Sequence, residues 1–257
     1  MIGHTDEYVK MYAVERELWW YRHLHERVVA ALRQRFGARR DIRILDAGCG
    51  TGGLLDYLRA QGYDRLTGID GSADAVAFCH ERGLDVSLLN LNDLADWPAQ
   101  LPFDAIICND VFCYFDDAGL TRLLANFGAR LAADGLLISN NNAFGVFKGQ
   151  HDLAVGSSRR FVRADLARLL PRAGLALQTS TYWSLLLSPL ILAMRQWQQL
   201  ELRLGKRAPE TARSDVYLPA PWVNQTLYRL VTFENRWLPR TPFGSSLFIT
   251  GRPIPRP

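Results

Sequence analysis

The sequence is poor in cysteine, and its few cysteines exclude a disulfide-stabilised fold. Cys49, Cys79, Cys108 and Cys113 form no C-x-x-C pair and no dense framework in 257 residues. Cys108 and Cys113 do not stand at metal-ligand spacing from any histidine, so we predict no metal site. Unpaired cysteines are typical of a reducing compartment, and we expect a cytoplasmic protein.

Long apolar runs and clustered basic residues are also missing. The longest nearly apolar run, Trp183–Met194, is too short to span a bilayer and contains Pro189. The first ten residues, MIGHTDEYVK, are acidic in part and lack the apolar core of a signal peptide. The net charge is +4, but basic residues adjoin only in pairs such as Arg39-Arg40 and Arg159-Arg160. We therefore expect no transmembrane segment and no nucleic-acid partner.

What is present is an alternation of short apolar and amphipathic segments, which predicts a parallel sheet with helices on both faces. The predicted strands are Ile42–Asp46, Arg65–Asp70, Val86–Leu89, Phe103–Asn109, Leu136–Asn140, Leu175–Trp183 and Ser245–Gly251. The predicted helices are Glu7–Phe36, Gly52–Gln61, Ala73–Arg82, Asp117–Ala132 and Arg163–Ala173, with a loop over Asn140–Ser158.

The chain length and this pattern indicate one domain in four parts. We expect an N-terminal helical cap (1–39), a central α/β core (40–184), a helical insertion (185–243) and a last strand with a tail (244–257). Prolines at positions 209, 219 and 221 are predicted to interrupt the insertion.

The stretch ILDAGCGTGGLLDYL, residues 44–58, follows the first predicted strand and fits two glycine patterns. Gly48, Gly50 and Gly53 match the G-x-G-x-x-G turn of dinucleotide sites, whereas Gly48, Gly50 and Gly52 match a G-x-G-x-G loop used by other nucleoside cofactors. Asp46, two residues earlier, discriminates between the two patterns. Its carboxylate would repel a pyrophosphate at the helix N-terminus and would attract an ammonium group.

A second acidic residue, Asp70, closes the second predicted strand. A carboxylate there can accept hydrogen bonds from ribose hydroxyls, in dinucleotide sites as well as in other nucleoside sites. Asp46 therefore carries the discrimination. It favours a nucleoside ligand with an ammonium-bearing tail, such as S-adenosylmethionine, over NAD.

Four ordered blocks resemble the class I S-adenosylmethionine-dependent methyltransferases: LDAGCGTG (45–52), LTGIDGSADAVAFCHERG (66–83), FDAIICNDVFCYFDD (103–117) and LAADGLLISNN (131–141). The resemblance covers roughly residues 40–185. It implies a Rossmann-like, seven-stranded, mostly parallel sheet with S-adenosylmethionine as the cofactor. It also implies the positions that bind the cofactor. These residues would be Asp46, Gly48, Gly50, Asp70, Gly71, Asn90, Leu91 and Asn109, and Asp110 would join Asn109 beneath the sulfonium. We add Tyr21 of the first helix as a further cofactor-binding candidate.

The sequence departs from the family pattern at two places. Where the family often has Asp near the adenine, this chain has LLNLND, so either Asn90 or Asp93 takes that role, and we favour Asn90. NDVF stands where enzymes that methylate exocyclic amino groups of bases carry Asn/Asp-Pro-Pro-Tyr, which argues against such acceptors. Both ends of the chain also resemble a bacterial subgroup whose acceptors are mostly undefined.

The acceptor side offers candidates rather than a signature. His151, in the loop after the fifth strand, is a candidate general base, and Tyr114 is a candidate for the acceptor pocket. His23 and His25 are two residues apart on one helix and cannot face the same way. Three consecutive aromatics, at positions 19 to 21, cannot all face one core, so at least one should meet the insertion or the substrate. Arg159 and Arg160 could bind an anionic acceptor group or lie on the surface.

The insertion begins with an apolar stretch that allows three interpretations. It could cover a hydrophobic acceptor pocket, form a dimer interface, or contact a membrane surface or a lipid-linked acceptor. We predict a methyltransferase acting at oxygen or nitrogen of a small-molecule acceptor, typically in secondary metabolism. Two further hypotheses are methylation of a glycolipid or polysaccharide precursor and a non-catalytic S-adenosylmethionine-binding protein. Either a monomer or a homodimer fits the sequence.

Overall fold

A computed structural model describes residues 5–98, 101–203, 214 and 216–255, and its centre is a seven-stranded sheet. The strand order is β3-β2-β1-β4-β5-β7-β6, with strands β1 Ile44–Ala47, β2 Leu66–Asp70, β3 Val86–Leu88, β4 Phe103–Ile107, β5 Leu131–Asn142, β6 Leu175–Trp183 and β7 Ser246–Pro253. Strand β7 runs antiparallel to β5 and β6, and the pairings among β1 to β5 are parallel. The predicted Rossmann-like, mostly parallel sheet is confirmed.

Helices cover both faces of this sheet. They are α1 Thr5–Val14, α2 Trp19–Phe36, α3 Gly53–Ala60, α4 Ala73–Glu81, α5 Asp117–Arg130, α6 Gln150–Ala154, α7 Arg163–Arg172, α8 Ser188–Arg203 and α9 Pro221–Trp237. Apolar residues of α5 and α7, such as Leu123 and Leu169, fill the core on one face. Residues of α2 and α3, such as Leu32 and Leu58, fill it on the other. Burying both faces explains why the central strands read as continuous apolar runs.

The strand order reverses between β1 and β4, so the loops after their carboxyl ends diverge and leave a crevice. The glycine loop follows β1, and Asn109 and Asp110 follow β4. The topology therefore brings two of the sequence motifs to one place.

Three local predictions are wrong. The single helix Glu7–Phe36 is two helices, because the chain turns at residues 15–18 and sends Glu15 into the interior; the predicted end at Gly37 is confirmed. Strand β5 begins at Leu131, within the predicted helix Asp117–Ala132, since it pairs with Phe103 of β4. The loop Asn140–Ser158 contains α6 and one turn of 3-10 helix.

The insertion is helical as predicted, although its middle cannot be compared. Pro221 begins α9 at the first helical turn, where the missing N–H of proline costs nothing. The predicted break at Pro209 lies outside the described residues. None of the helices in the described part of the chain combines the length and the hydropathy needed to span a bilayer.

Candidate cofactor and acceptor site

A cavity of about 690 Å³ opens at the carboxyl edge of the sheet, within the usual range for small-molecule sites. Its wall is formed by the segments after β1, β2, β3, β4 and β5 together with α1, α2, α8 and α9. Twelve residues predicted for the site lie on this wall: Tyr21, Asp46, Gly48, Gly50, Asp70, Gly71, Asn90, Leu91, Asn109, Asp110, Tyr114 and His151.

The glycine loop shows why both glycine patterns fit. Gly48, Gly50 and Gly52 have φ angles of +81°, +54° and +82°, the left-handed region that favours glycine. A Cβ on Gly48 would also lie 2.5 Å from Val111 Cγ2. Gly53 has no such φ, but a Cβ there would lie 2.2 Å from Glu15 Oε2. The G-x-G-x-G pattern therefore sets the loop conformation, and Gly53 admits a neighbouring carboxylate.

That carboxylate occupies the N-terminus of α3. Glu15 Oε2 accepts a hydrogen bond of 3.1 Å from the Gly53 amide, and Glu15 Oε1 accepts one from the Thr51 hydroxyl. In dinucleotide-binding folds a pyrophosphate binds at this helix end, where free amides and the helix dipole attract anions. Because Glu15 already fills this position, the loop has no place for a pyrophosphate.

Helix α1 is held over the end of the cavity that contains the glycine loop. Arg82, in the turn after α4, forms a buried ion pair of 2.8 Å with Glu15, and its guanidinium lies 4.3 Å from the centre of the Tyr12 ring. Tyr12 stacks on Phe78 with the ring centres 4.6 Å apart. Tyr8 is buried beside Asp70, and burial followed by the charge of Asp70 raises its pKa to about 12. These contacts make α1 one wall of the site.

Asp46 and Asp70 lie close together but in different surroundings. Asp70 is held by two backbone amides: Oδ2 accepts from Gly50 of the glycine loop and Oδ1 from Ser72, each at 2.9 Å. Asp46 is only 3% exposed, and among the described residues none donates a hydrogen bond to its carboxylate. Burial, Asp70 and Glu15 raise the pKa of Asp46 to about 8. An ammonium group in the cavity would lower that pKa again.

Asp110 is a second, half-buried carboxyl group on the wall, and it adopts a strained backbone with φ +56°. Asn140 Nδ2 donates to both of its oxygens, at 3.2 and 3.1 Å, and Trp183 Nε1 donates to Asn140 Oδ1 at 2.9 Å. Burial raises the pKa of Asp110 to about 7, against the opposing effect of Asn140. Asn109 Oδ1 accepts from the Asn140 amide, so one asparagine orients both residues of the motif.

The candidate acceptor residues have fixed positions. The Tyr114 hydroxyl donates to the Val155 carbonyl at 3.1 Å, which leaves its oxygen able to accept from a ligand. His151 lies on the short helix α6 and faces the cavity. Of the two histidines on α2, His25 reaches the wall and His23 packs against Trp183. Burial lowers the pKa of both to about 3, so both are neutral at physiological pH.

Asn90, Asp93 and the two adjacent arginines also have defined positions. Asn90 lies on the wall and caps the following 3-10 helix, whereas Asp93 is exposed and is not one of the residues that line the wall. Arg159 pairs with Asp117 at 2.7 Å, and Arg160 pairs with buried Asp152 at 2.9 Å. Both arginines therefore neutralise carboxylates of this chain.

The three consecutive aromatics of α2, at positions 19 to 21, all reach the cavity wall. The same wall contains residues of α8 and α9, so these aromatics also face the insertion. The expectation that at least one of them meets the insertion or the substrate agrees with this placement.

The end of the cavity away from the glycine loop is mostly apolar. Helix α8 and the preceding turn supply Leu187, Leu190, Ile191 and Met194 together with buried Arg195, and helix α9 supplies Val223 and Leu227. Leu186, beside this wall, donates its amide to Glu234 Oε2 at 2.8 Å, which ties the start of α8 to α9. The insertion thus encloses the part of the cavity that the loops after β1, β2 and β4 leave open.

Sequence reasoning missed Glu15 and Tyr8. The signal was present: Tyr8, Met11, Tyr12 and Glu15 repeat at helical spacing, and a carboxylate on an otherwise apolar stripe indicates a buried partner. That partner, Arg82, is 67 residues distant and has no local signature.

Comparisons with known proteins agree with this geometry. Residues 21–180 match the sequence profile of a family described as "Methyltransferase domain". A trans-aconitate 2-methyltransferase of Mycobacterium tuberculosis is 29% identical over 155 residues, 60% of this chain and 57% of the relative. The matched regions span 24% to 57% of the lengths of the curated relatives.

Two solved structures share the fold. A TehB-like SAM-dependent methyltransferase from Corynebacterium glutamicum has a TM-score of 0.53 at 18% identity, over 89% of this chain and 86% of that one. An S-adenosylmethionine-dependent methyltransferase from Clostridium acetobutylicum has a TM-score of 0.54 at 11% identity, over 89% of both chains.

Proposed function

Because this chain belongs to the methyltransferase-domain family, the class I S-adenosylmethionine-dependent enzymes, we propose that it methylates an oxygen or nitrogen of a small-molecule acceptor. The observation that carries the proposal is the state of Asp46. A buried carboxyl group with a pKa raised to about 8 and no donor among the described residues suits a ligand that brings an ammonium group. Glu15, at the neighbouring helix N-terminus, disfavours a ligand that brings a pyrophosphate.

The proposed cofactor contacts follow the cavity wall from the glycine loop outward. Asp46 binds the methionyl ammonium, while Gly48 and Gly50 allow the backbone to approach the tail. Asp70, with Gly71 beside it, accepts from the ribose hydroxyls. Asn90 and Leu91 are proposed to flank the adenine, and Asn109 is proposed to lie beneath the sulfonium. Tyr21 is proposed to cover the site.

Bound S-adenosylmethionine supplies a methyl group on a positively charged sulfur and leaves as S-adenosylhomocysteine. The chain's own task is to hold the acceptor in line with that methyl and to exclude water. Such positioning can lower the activation barrier by about 7–11 kcal/mol. The acceptor also loses a proton. We propose Asp110 as the group that receives it, with His151 as the second candidate, and Tyr114 as a residue that orients the acceptor through its hydroxyl oxygen.

The apolar far end points to an acceptor with a sizeable apolar part. The name of the mycobacterial relative describes an acceptor, trans-aconitate, that carries three carboxyl groups. In this chain Arg160 and Arg195 also lie on the wall, but Arg160 is paired with Asp152 and Arg195 donates to Gln198. Leucine, isoleucine and methionine form the rest of the wall at α8. An aromatic or aliphatic secondary metabolite fits this wall better than a small acid does, and a glycolipid precursor is the second candidate. We place the reaction in the cytoplasm, consistent with four free cysteines, and assign it to a monomer or a homodimer.

Calorimetric titration with S-adenosylhomocysteine, with NAD as the control ligand, tests the cofactor assignment. We expect micromolar binding of the first and none of the second. Binding of NAD would contradict the argument from Asp46 and Glu15. Release of S-adenosylhomocysteine from S-adenosylmethionine on addition of phenols, heterocyclic amines or glycosides would then separate an enzyme from a protein that only binds the cofactor.

A further inference from the structure

Helix α9 presents an unusual outer face to solvent. Trp222, Phe233 and Trp237 are 75%, 54% and 64% exposed, although they are among the most apolar side chains in the chain. With 100° per residue, these three and the exposed Arg229 and Arg236 fall within an arc of about 100°. We call these five residues the α9 outer face. Tertiary packing does not require them, because the buried residues of α9 lie on its opposite side, against α2.

The charge of this surface has one sign. Arg229 and Arg236 are part of the outer face, and exposed Arg240 follows three residues after the helix. The acidic residue of α9, Glu234, is buried and accepts the Leu186 amide. The described outer surface of α9 therefore combines large aromatics with arginines and carries no carboxylate.

Helix α8 adds an exposed apolar stripe beside the cavity. Leu190, Met194 and Trp197 follow one another at helical spacing and are all exposed. Leu190 and Met194 also line the cavity. These side chains therefore form an apolar, solvent-exposed rim where α8 borders the cavity.

We propose that the α9 outer face binds the surface of an anionic lipid bilayer. Tryptophan and phenylalanine bury their rings at the boundary of headgroups and acyl chains, while arginine pairs with lipid phosphates. A second copy of the chain fits less well, because a twofold contact would bring arginine-bearing surfaces together without carboxylates to neutralise them. This binding goes beyond the proposed methyl transfer and does not depend on it.

Co-sedimentation with vesicles tests the proposal. The complete protein is mixed with vesicles of phosphatidylcholine alone or of phosphatidylcholine with phosphatidylglycerol, and we expect binding to the second only. Trp222→Ala/Phe233→Ala/Trp237→Ala should weaken that binding by about tenfold or more, since insertion of the rings is lost. Arg229→Gln/Arg236→Gln should weaken it by a similar factor through the lost phosphate attraction.

Matched variants separate this surface from general effects. Leu88→Ala/Leu101→Ala removes exposed apolar side chains elsewhere, and Arg122→Gln/Arg172→Gln makes the same change in net charge on α5 and α7. Both should bind vesicles as the parent does. If the Arg122/Arg172 control loses as much vesicle binding as the Arg229/Arg236 variant does, the effect comes from net charge alone, and the proposal is overturned.

Two further outcomes would also overturn it. One is that the parent protein does not co-sediment with anionic vesicles. The other is a dimer, detected by sedimentation equilibrium, that the triple aromatic variant dissociates while no vesicle binding is found. Binding of S-adenosylhomocysteine, measured on the same preparations, reports on the methyltransferase assignment separately, since no residue of the α9 outer face lines the cavity.

Discussion

Glu15 and Arg82 form an ion pair of 2.8 Å in which both side chains are almost completely buried. A buried pair of this kind adds little net stability, because the cost of removing both charges from water offsets their attraction. Its effect is one of geometry. The pair fixes the carboxylate of the N-terminal segment at the start of α3, where it accepts from Thr51 and Gly53 and occupies the position that suits a phosphate.

We expect Gly53→Ala to destabilise the protein and to weaken binding of S-adenosylhomocysteine. The new methyl group would lie 2.2 Å from Glu15 Oε2, so the carboxylate must leave the loop; overpacking of this kind costs about 1–3 kcal/mol. Thermal unfolding and calorimetry measure the two effects. Gly145→Ala is the matched control, because a Cβ there meets nothing within 4 Å.

A double-mutant cycle makes this prediction specific. In the Glu15→Ala background the clash is absent, so Gly53→Ala should cost clearly less than it does in the parent. Equal costs in both backgrounds would mean that Gly53 acts through the loop backbone alone and not through Glu15.

Asp46→Asn should stabilise the unliganded protein and weaken its cofactor binding. The pKa of Asp46 is raised from 3.8 to about 8, so its contribution to the free energy of unfolding is largest at low pH and is lost as the pH rises between these values. At pH 7 asparagine avoids this penalty, and we expect a gain of about 1 kcal/mol or more. Binding of S-adenosylhomocysteine should weaken by about 1–3 kcal/mol, because a charged hydrogen bond is lost.

The same shift predicts that cofactor binding releases a proton. Below pH 8 Asp46 carries a proton in the free protein, and the ligand's ammonium group requires the carboxylate. The affinity for S-adenosylhomocysteine should therefore rise with pH up to about 8, and titrations in buffers of different ionisation enthalpy should count the proton. Asp46→Asn should abolish that part of the proton release. If the parent and the variant release protons equally, Asp46 is not the ammonium site.

The sequence predicted the sheet and several residues of the cavity wall near the glycine loop, because both are specified locally. Gly48 and Gly50 lie next to the strand that positions them, and Asp46 and Asp70 lie near the carboxyl ends of neighbouring parallel strands. The split of the first helix was not predictable in the same way. It depends on Glu15 meeting Arg82, and sequence periodicity cannot locate a partner so far along the chain. The Asn140 side chain that links Asp110 to Trp183 likewise joins three distant segments.

The proton that leaves the acceptor provides a test of Asp110. If Asp110 receives it, Asp110→Asn should lower kcat by roughly 10²- to 10⁴-fold while binding of S-adenosylhomocysteine changes little. Burial raises the pKa of Asp110 to about 7, so kcat of the parent should rise with pH through this value as the carboxyl group becomes a base, and the variant should lose that limb. The measurement is methyl transfer to whichever acceptor the screen identifies. His151→Gln is the parallel test: if it abolishes the pH limb and Asp110→Asn leaves it intact, the base is His151, and Asp110 serves only to shape the loop after β4.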